Sequence, residues 1–136
     1  MSAPIDRVDP VDPIEPVEPA DAIADWTCGG AGLAYQQCAA CDHRWYFRRG
    51  FCPRCGEAGP TTHASGGRGV VYATTLVQRA PSEAFAALAP YRIVLVDLDE
   101  GIRVMAHGDA ELRIGDTVVC RFDALAGRML PRFEQA

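Results

Sequence analysis

The sequence contains no lysine, so each of its 13 basic residues is an arginine. This absence excludes any mechanism that needs a Schiff base on a lysine amine. Long apolar runs are missing too, and none approaches the roughly 18 residues that a membrane span requires. The first ten residues, MSAPIDRVDP, lack the basic start and the apolar stretch of a secretory signal. We therefore expect a cytoplasmic protein that has no membrane partner.

Acidic charge is concentrated at the N-terminus. Residues 1–25 carry seven acids and one base, whereas residues 26–136 carry eleven acids and twelve arginines. The first segment thus contributes −6 and the remainder +1 to the net charge of −5. Affinity for nucleic acid depends on the neutralisation of phosphates, and a nearly neutral body with an acidic end is poorly suited to it. The charge distribution argues against nucleic acid as the partner.

The acidic end also contains a short proline repeat, which reads VDP, VDP, IEP and VEP over residues 8–19. Proline at every third position blocks a helix and removes donors that a sheet would need. We expect residues 1–20 to form a disordered acidic tail, which serves either as a spacer or as an arm that docks on a partner. Residues 21–34 are predicted to form a short helix or turn with a glycine-rich exit, in which Trp26 is a packing anchor.

Two C-x-x-C pairs, CAAC and CPRC, are separated by ten residues. Each pair can form a knuckle, and two knuckles complete a tetrahedral four-sulfur metal site that leaves no position open for substrate, so the metal would be structural. The predicted ligands are Cys38, Cys41, Cys52 and Cys55. Pro53 restricts φ in the second knuckle, and Gly56 can accept a positive φ after it. The spacing predicts a zinc ribbon over residues 35–60, with iron as the alternative metal.

The remaining cysteines and the histidines do not indicate catalysis. Cys28 is expected to be a small core residue rather than a fifth ligand, and Cys120 a buried, inert thiol. His43 follows Cys41 closely, but with four cysteines present we expect it to face solvent or to support the site. None of the three histidines belongs to a motif such as H-E-x-x-H, and we predict no catalytic residue. The acids Asp97, Asp99 and Glu100 are explained by turn chemistry.

The second half of the sequence contains five short segments rich in valine, isoleucine and tyrosine. Residues 60–68 are predicted to be a linker or tight loop, and residues 81–89 one or two helical turns. Five short strands separated by turn signals are typical of a small barrel. The predicted strands are residues 69–79, 91–98, 102–107, 117–123 and 128–134. We therefore predict a mainly β fold with the ribbon first and a barrel domain over residues 66–136.

Several stretches in combination resemble the DUF35 family. They are the two knuckles, the GVVYATT strand, PYRIVLVDLDEGIRVMAH, TVVCRF and the closing LPRF, and the resemblance covers residues 26–134. It implies a rubredoxin-like zinc ribbon joined to a five-stranded OB-fold. It also implies a non-catalytic accessory subunit of a thiolase-like enzyme in acyl-CoA metabolism, in which the ribbon helps to dock the partner and the OB domain helps to hold the CoA part of the substrate.

The ribbon interleaves arginines with aromatic residues between and beside its knuckles. Alternation predicts that Trp45 and Phe47 share one face and cover the metal site. Arginine and aromatic side chains together can bind the phosphates and the adenine of CoA, although they can equally form an ordinary solvated surface. The loop at residues 80–90 could line an acyl or pantetheine path, or close the barrel end. The candidate CoA contacts are Arg44, Trp45, Arg48, Arg49 and Phe85.

The sequence thus favours a zinc-binding accessory subunit that associates with a thiolase-like enzyme and a CoA thioester. Two other function classes stay open. Zinc ribbons and OB-folds also bind single-stranded nucleic acid, and a four-cysteine site that held iron would serve as a redox carrier.

Overall fold

The computed structural model describes residues 23–125 and 127–136, which form eight strands and two short 3-10 helices. The strands are β1 Ala34–Gln37, β2 Arg44–Trp45, β3 Thr61–Ala64, β4 Arg68–Val77, β5 Tyr91–Leu98, β6 Arg103–Gly108, β7 Thr117–Leu125 and β8 Arg128–Gln135. The helices are η1 Trp26–Cys28 and η2 Glu83–Leu88. The predicted tail at residues 1–20 lies outside the described residues. No helix in the described part of the chain is long and apolar enough to cross a membrane.

The ribbon is built on a three-stranded sheet in the order β2-β1-β3. β1 pairs antiparallel with both neighbours, and Tyr35 lies opposite His63 in the β1–β3 ladder. The linker prediction for residues 60–68 is therefore wrong over Thr61–Ala64, which form a strand. The segment is too short to show a period of two, and it becomes a strand because one edge of β1 offers it backbone partners.

β4 to β8 close into a barrel in the order β4-β5-β6-β8-β7. All neighbouring pairs are antiparallel except β6 and β8, which are parallel. This parallel contact is short, since it joins only His107 to Arg132 and Gly108 to Phe133. The prediction of a mainly β chain with a five-stranded OB-type barrel is confirmed, and each of the five predicted strand segments overlaps one observed strand.

Alternation along the barrel strands decides which side chains fill the core. In β5, Val94, Val96 and Leu98 are buried while the residues between them are partly exposed. The ribbon contributes to the same core, because Leu33 and Tyr35 belong to the buried cluster that fills the barrel. Ribbon and barrel therefore share one apolar contact surface rather than being joined only by a linker.

A turn acid fastens the barrel to the ribbon. The Glu100 carboxylate accepts hydrogen bonds from Ser65 Oγ at 2.7 Å and from the Gly66 amide at 2.9 Å. The Glu100 carbonyl accepts a third from Arg44 Nη1 at 2.6 Å. Asp97 forms an ion pair with Arg103 at 2.6 Å. Asp97 and Glu100 thus have structural partners.

Candidate metal centre

The four predicted cysteine ligands come together in space. Their Sγ atoms all lie within 4.8 Å of one another. Cys38 Sγ is 3.5 Å from Cys55 Sγ, and Cys41 Sγ is 3.7 Å from Cys52 Sγ. Sulfurs in a tetrahedral site with Zn–S bonds near 2.3 Å are about 3.8 Å apart. The cluster therefore fits one tetrahedral ion such as zinc, and its closed ligand set suits a structural metal.

The two knuckles have the same hydrogen-bond pattern, in which two backbone amides donate to the first sulfur. The donors are Ala40 N and Cys41 N to Cys38 Sγ, and Arg54 N and Cys55 N to Cys52 Sγ, at 3.3 to 3.4 Å. Burial opposes ionisation of the Cys52 thiol, but the amides of Cys55 and Arg54 stabilise its thiolate, and its pKa falls to about 7. The backbone thus prepares this sulfur to bind a cation.

A residue with positive φ follows each knuckle. Gly56 has φ of 84°, as predicted, and Asp42 has φ of 65°. Aspartate is among the residues that tolerate the left-handed region. Asp42 directly follows Cys41, just as Gly56 directly follows Cys55. Sequence reasoning missed Asp42, although this equal offset is the signal that could have found it.

Only one of the two aromatic residues expected to cover the site does so. Trp45 is 7% exposed and packs with the buried cysteines Cys38 and Cys52. Its indole N–H donates to Gln36 Oε1 at 2.8 Å. Phe47 is 58% exposed, because β2 ends at Trp45 and the alternation ends with it. Trp45 therefore contributes to the ribbon's own small core, and its contact with CoA stays a prediction.

The predictions for His43, Cys28 and Cys120 were only partly correct. Within the described residues the metal cluster consists of the four cysteines, and the His43 ring stacks on Trp45 at 5.8 Å between centroids. Cys28 is exposed, so its prediction as a core residue is wrong. Cys120 is buried as predicted, and burial raises the pKa of its thiol to about 12. This thiol is therefore a poor nucleophile.

The predicted CoA contacts are distributed between the ribbon and the barrel. Arg44 donates to Glu100, and Arg48 Nε lies 2.7 Å from Asp25 Oδ2. Arg49 is exposed, and its guanidinium forms no hydrogen bond or ion pair within the described residues. Phe85 lies against two rings of the barrel: it is tilted relative to Tyr91 and meets His107 edge-on.

The three histidines have mainly aromatic surroundings. His63 stacks on Tyr35 and its Nε2 lies 2.8 Å from Thr61 Oγ1 on the exposed ribbon surface. His107 contacts Phe85 and Tyr91. A nucleophile needs a base that a third group orients through a hydrogen bond. Among the described residues no carboxylate is hydrogen-bonded to any of the three histidine rings, and Asp123 acts on His107 only through its charge. The absence of catalysis stays a prediction.

Comparisons with known proteins bear on both parts of the chain. A family model described as "ChsH2, C-terminal OB-fold domain" matches residues 62–123. A solved structure described as "Ltp2-ChsH2(DUF35) aldolase" is 31% identical with a TM-score of 0.65, and the match covers 76% of this chain and 84% of that one. The chain belongs to the DUF35 family.

Two curated proteins are also similar to this DUF35 chain. A "DUF35 domain-containing scaffold protein" from Methanothermobacter thermautotrophicus is 28% identical over 91 residues, which cover 63% of this chain and 68% of the relative. A "Probable enoyl-CoA hydratase alpha subunit" from Thermomonospora curvata is 35% identical over 75 residues. That match covers 55% of this chain but only 23% of the hydratase subunit.

Proposed function

We propose that this DUF35 chain is a non-catalytic, zinc-binding accessory subunit that associates with a thiolase-like enzyme in the cytoplasm and helps to bind a CoA thioester. The observation that carries the proposal is the match to the DUF35 structure described as an aldolase, which extends through 84% of that chain. The closed cysteine cluster supports the non-catalytic assignment, because a metal with four sulfur ligands has no open position for a reacting group.

The ribbon offers a surface for the enzyme partner. Phe47 and Phe51 are 58% and 55% exposed. Arg49 and Arg54 lie beside them in sequence, are exposed, and have guanidinium groups without partners among the described residues. We call these four residues the ribbon patch. Aromatic residues and arginine are enriched at protein interfaces, and they often dominate the binding energy.

The same arginines suit the CoA phosphates. Arg44 and Arg48 already have partners in Glu100 and Asp25, whereas the guanidinium groups of Arg49 and Arg54 are open to an anion. Guanidinium groups bind phosphate through paired, charge-assisted hydrogen bonds. We expect the phosphates to lie where the ribbon patch meets the partner, with Arg49 as the main contact, and Arg44 and Arg48 at the edge.

Assembly is tested by co-expression with thiolase-, aldolase- and hydratase-type subunits from the same genome, followed by native mass spectrometry. We expect a hetero-oligomer of fixed stoichiometry. Replacement of both Phe47 and Phe51 by glutamate should abolish it, because buried carboxylates without partners are strongly unfavourable. Ile114→Glu is the control, since Ile114 is 67% exposed and outside the ribbon. A wild-type chain that stays monomeric beside such subunits contradicts the proposal.

CoA binding is tested on the assembled complex by calorimetry. The double replacement of Arg49 and Arg54 by alanine should weaken CoA at least tenfold, at about 1.4 kcal/mol per tenfold change. Arg113→Ala removes an exposed arginine of the barrel and serves as the control. Equal affinity in both variants would assign CoA to another surface. Salt-dependent binding of single-stranded DNA with no CoA binding would instead favour the nucleic-acid alternative.

A further inference from the structure

The barrel has a seam between β6 and β8. These strands share only the two residue pairs at His107 and Gly108. On the N-terminal side of those pairs, Met105 and Ala106 of β6 and Leu130 and Pro131 of β8 line the two sides of a cavity of about 190 Å³. The cavity therefore follows from the strand pairing, because the barrel wall lacks a continuous ladder at this point.

The remaining walls come from β5, β6 and the N-terminal turn. Ile93, His107 and Trp26 complete the lining. Trp26 packs against the barrel core, and its indole N–H donates to the Tyr46 hydroxyl at 2.6 Å. The ion pair between Asp25 and Arg48 fixes the same turn to the ribbon. One wall of the cavity is thus held in place from the ribbon side.

The lining is apolar and carries one titratable group. That group is His107, which is half-buried; burial lowers its pKa, against a smaller opposing effect of the Asp123 charge, and so favours the neutral imidazole. The lining includes no arginine and no carboxylate. A phosphate or a nucleotide would find no counter-charge here, whereas an uncharged apolar group would be desolvated on several sides.

The cavity is partly open to solvent, so its volume indicates how large an apolar group it can cover. An apolar cavity of about 150 Å³ binds benzene, so about 190 Å³ suits an apolar group of roughly six to eight carbons. A second hollow of about 260 Å³ shares Ile93 and Met105 with the first and continues over Ala73, Thr75 and Leu95 on the outer face of β4 and β5. Methionine is flexible, so Met105 between the two hollows can adapt to different chains.

We propose that this seam pocket binds the acyl group of a CoA thioester, with a preference for straight or cyclic groups of about six to eight carbons. That the ligand is a CoA thioester rests on the proposed function. That an apolar pocket exists here rests only on the β6–β8 seam and the residues that line it. The acyl group would lie on the barrel and the nucleotide on the ribbon, so that the two modules hold opposite ends of one substrate.

The test uses a neutral thioester that carries neither nucleotide nor phosphate, so that it does not depend on the ribbon arginines. S-hexanoyl-N-acetylcysteamine is titrated into the full, zinc-loaded, ¹⁵N-labelled chain, with the S-acetyl compound as reference. We expect shifts of the amide signals of Ile93, Ala106, His107 and Leu130. The hexanoyl compound should bind at least tenfold more tightly, because each buried methylene can contribute up to about fourfold.

Matched variants locate the binding. Met105→Glu places a carboxylate at the rim on a residue that is 61% exposed, so the fold should tolerate it, and it should remove the preference for hexanoyl. Ile114 is similarly exposed, at 67%, but lies outside the pocket, so Ile114→Glu should keep the preference. Amide spectra verify that both variants are folded.

Three results would overturn the pocket assignment: no shifts at these amides at the highest soluble concentration, equal affinity for the two thioesters, or an unchanged preference in Met105→Glu. A fourth result would also overturn it: if these amides shift only on addition of the enzyme partner, and not on addition of thioester, a partner side chain occupies the seam. None of these results would contradict partner assembly or CoA binding at the ribbon, which are measured separately.

Discussion

The four cysteines of the ribbon are not equivalent. Cys38 and Cys52 are almost completely buried, and each receives two backbone amides, whereas Cys55 is exposed. The first cysteine of each knuckle is therefore both packed in the ribbon core and fixed by backbone hydrogen bonds. Loss of either buried sulfur should be more damaging than loss of a thiol elsewhere in the chain.

Cys52→Ser should remove the metal and unfold the ribbon. Metal content, measured by elemental analysis, should fall from one zinc per chain to less than about a tenth, because affinity depends on a complete thiolate set. The free energy of unfolding should fall by several kcal/mol, since metal binding is coupled to folding. Cys28→Ser is the control and should keep full zinc content. Full zinc content in Cys52→Ser would contradict the four-sulfur site.

Asp25→Asn tests the ion pair that holds the N-terminal turn to Arg48. Asp25 is 6% exposed and its carboxylate also accepts hydrogen bonds from Thr27, which asparagine can keep. We expect the free energy of unfolding at pH 7 to fall by about 1–2 kcal/mol. Asp97→Asn removes a pair in which both side chains are 47% exposed, and should cost about 0–1 kcal/mol.

The stability that the Asp25 carboxylate contributes depends on pH, and the direction of this dependence follows from its pKa. Burial opposes ionisation of Asp25, but the hydrogen bonds from Arg48 and Thr27 prevail and lower its pKa below the ordinary 3.8. A carboxyl with a lowered folded pKa contributes stability that is complete above the unfolded pKa and lost as the pH falls through the folded pKa. The difference between wild type and Asp25→Asn should therefore be constant from pH 5 to pH 8. A difference that declines between pH 7 and pH 5 would contradict this pairing.

At the scale of single residues, the sequence predicts what local spacing determines. The knuckles and the positive φ at Gly56 depend on only a few adjacent residues, and they were predictable. The burial of Trp45 depends on its hydrogen bond to Gln36. The exposure of Cys28 depends on the path of the turn that follows η1. Such contacts join residues that are distant in sequence, so composition and alternation do not reveal them.

At the scale of elements, β4 and β5 approach closely at a glycine. A Cβ on Gly69 would overlap the Asp97 carbonyl oxygen and lie 2.8 Å from Val96 Cγ1. Gly69→Ala should therefore lower the free energy of unfolding by about 1–3 kcal/mol, the usual cost of overpacking, measured by urea denaturation. Gly50→Ala has open space around its Cβ and should be nearly neutral. Equal stability of the two variants would contradict the tight β4–β5 contact.

The hydrogen bonds of Glu100 should stabilise the junction between the ribbon and the barrel. Glu100→Ala removes the acceptors of Ser65 Oγ and the Gly66 amide. We expect a loss of about 1–2 kcal/mol in the free energy of unfolding and faster hydrogen exchange at residues 65–67. Asp99→Ala, at the adjacent and exposed acid of the same turn, is the control. Unchanged exchange at residues 65–67 in Glu100→Ala would mean that these bonds do not fasten the junction.

The strands with clear alternation were predictable as elements, and their pairing was not. β5 and β7 were found nearly to their ends because a period of two reports which face is buried. β3 was not predicted because four residues are too few to display a period of two. It forms because its backbone pairs with the edge of β1. The short β6–β8 contact, which creates the seam, is a property of barrel closure and has no local sequence signal.

At the scale of the whole molecule, two small modules share one core. Leu33 and Tyr35 from the ribbon side join the barrel cluster, and Trp26 and Tyr46 pack against it. Small modules lack enough core of their own and commonly use a metal to compensate. In this chain the metal would organise the ribbon and the shared core would orient it, so that the ribbon patch and the seam pocket keep a fixed relation.

The central claim is that the reaction belongs to another chain, and reconstituted turnover tests it most directly. Consumption of a medium-chain acyl-CoA is measured with this chain alone, with the enzyme subunit that assembles with it alone, and with both at equal concentration. The account predicts no turnover by this chain, low turnover by the enzyme subunit and a rise of at least tenfold when both are present. Turnover by this chain alone, or equal turnover with and without it, would contradict the account.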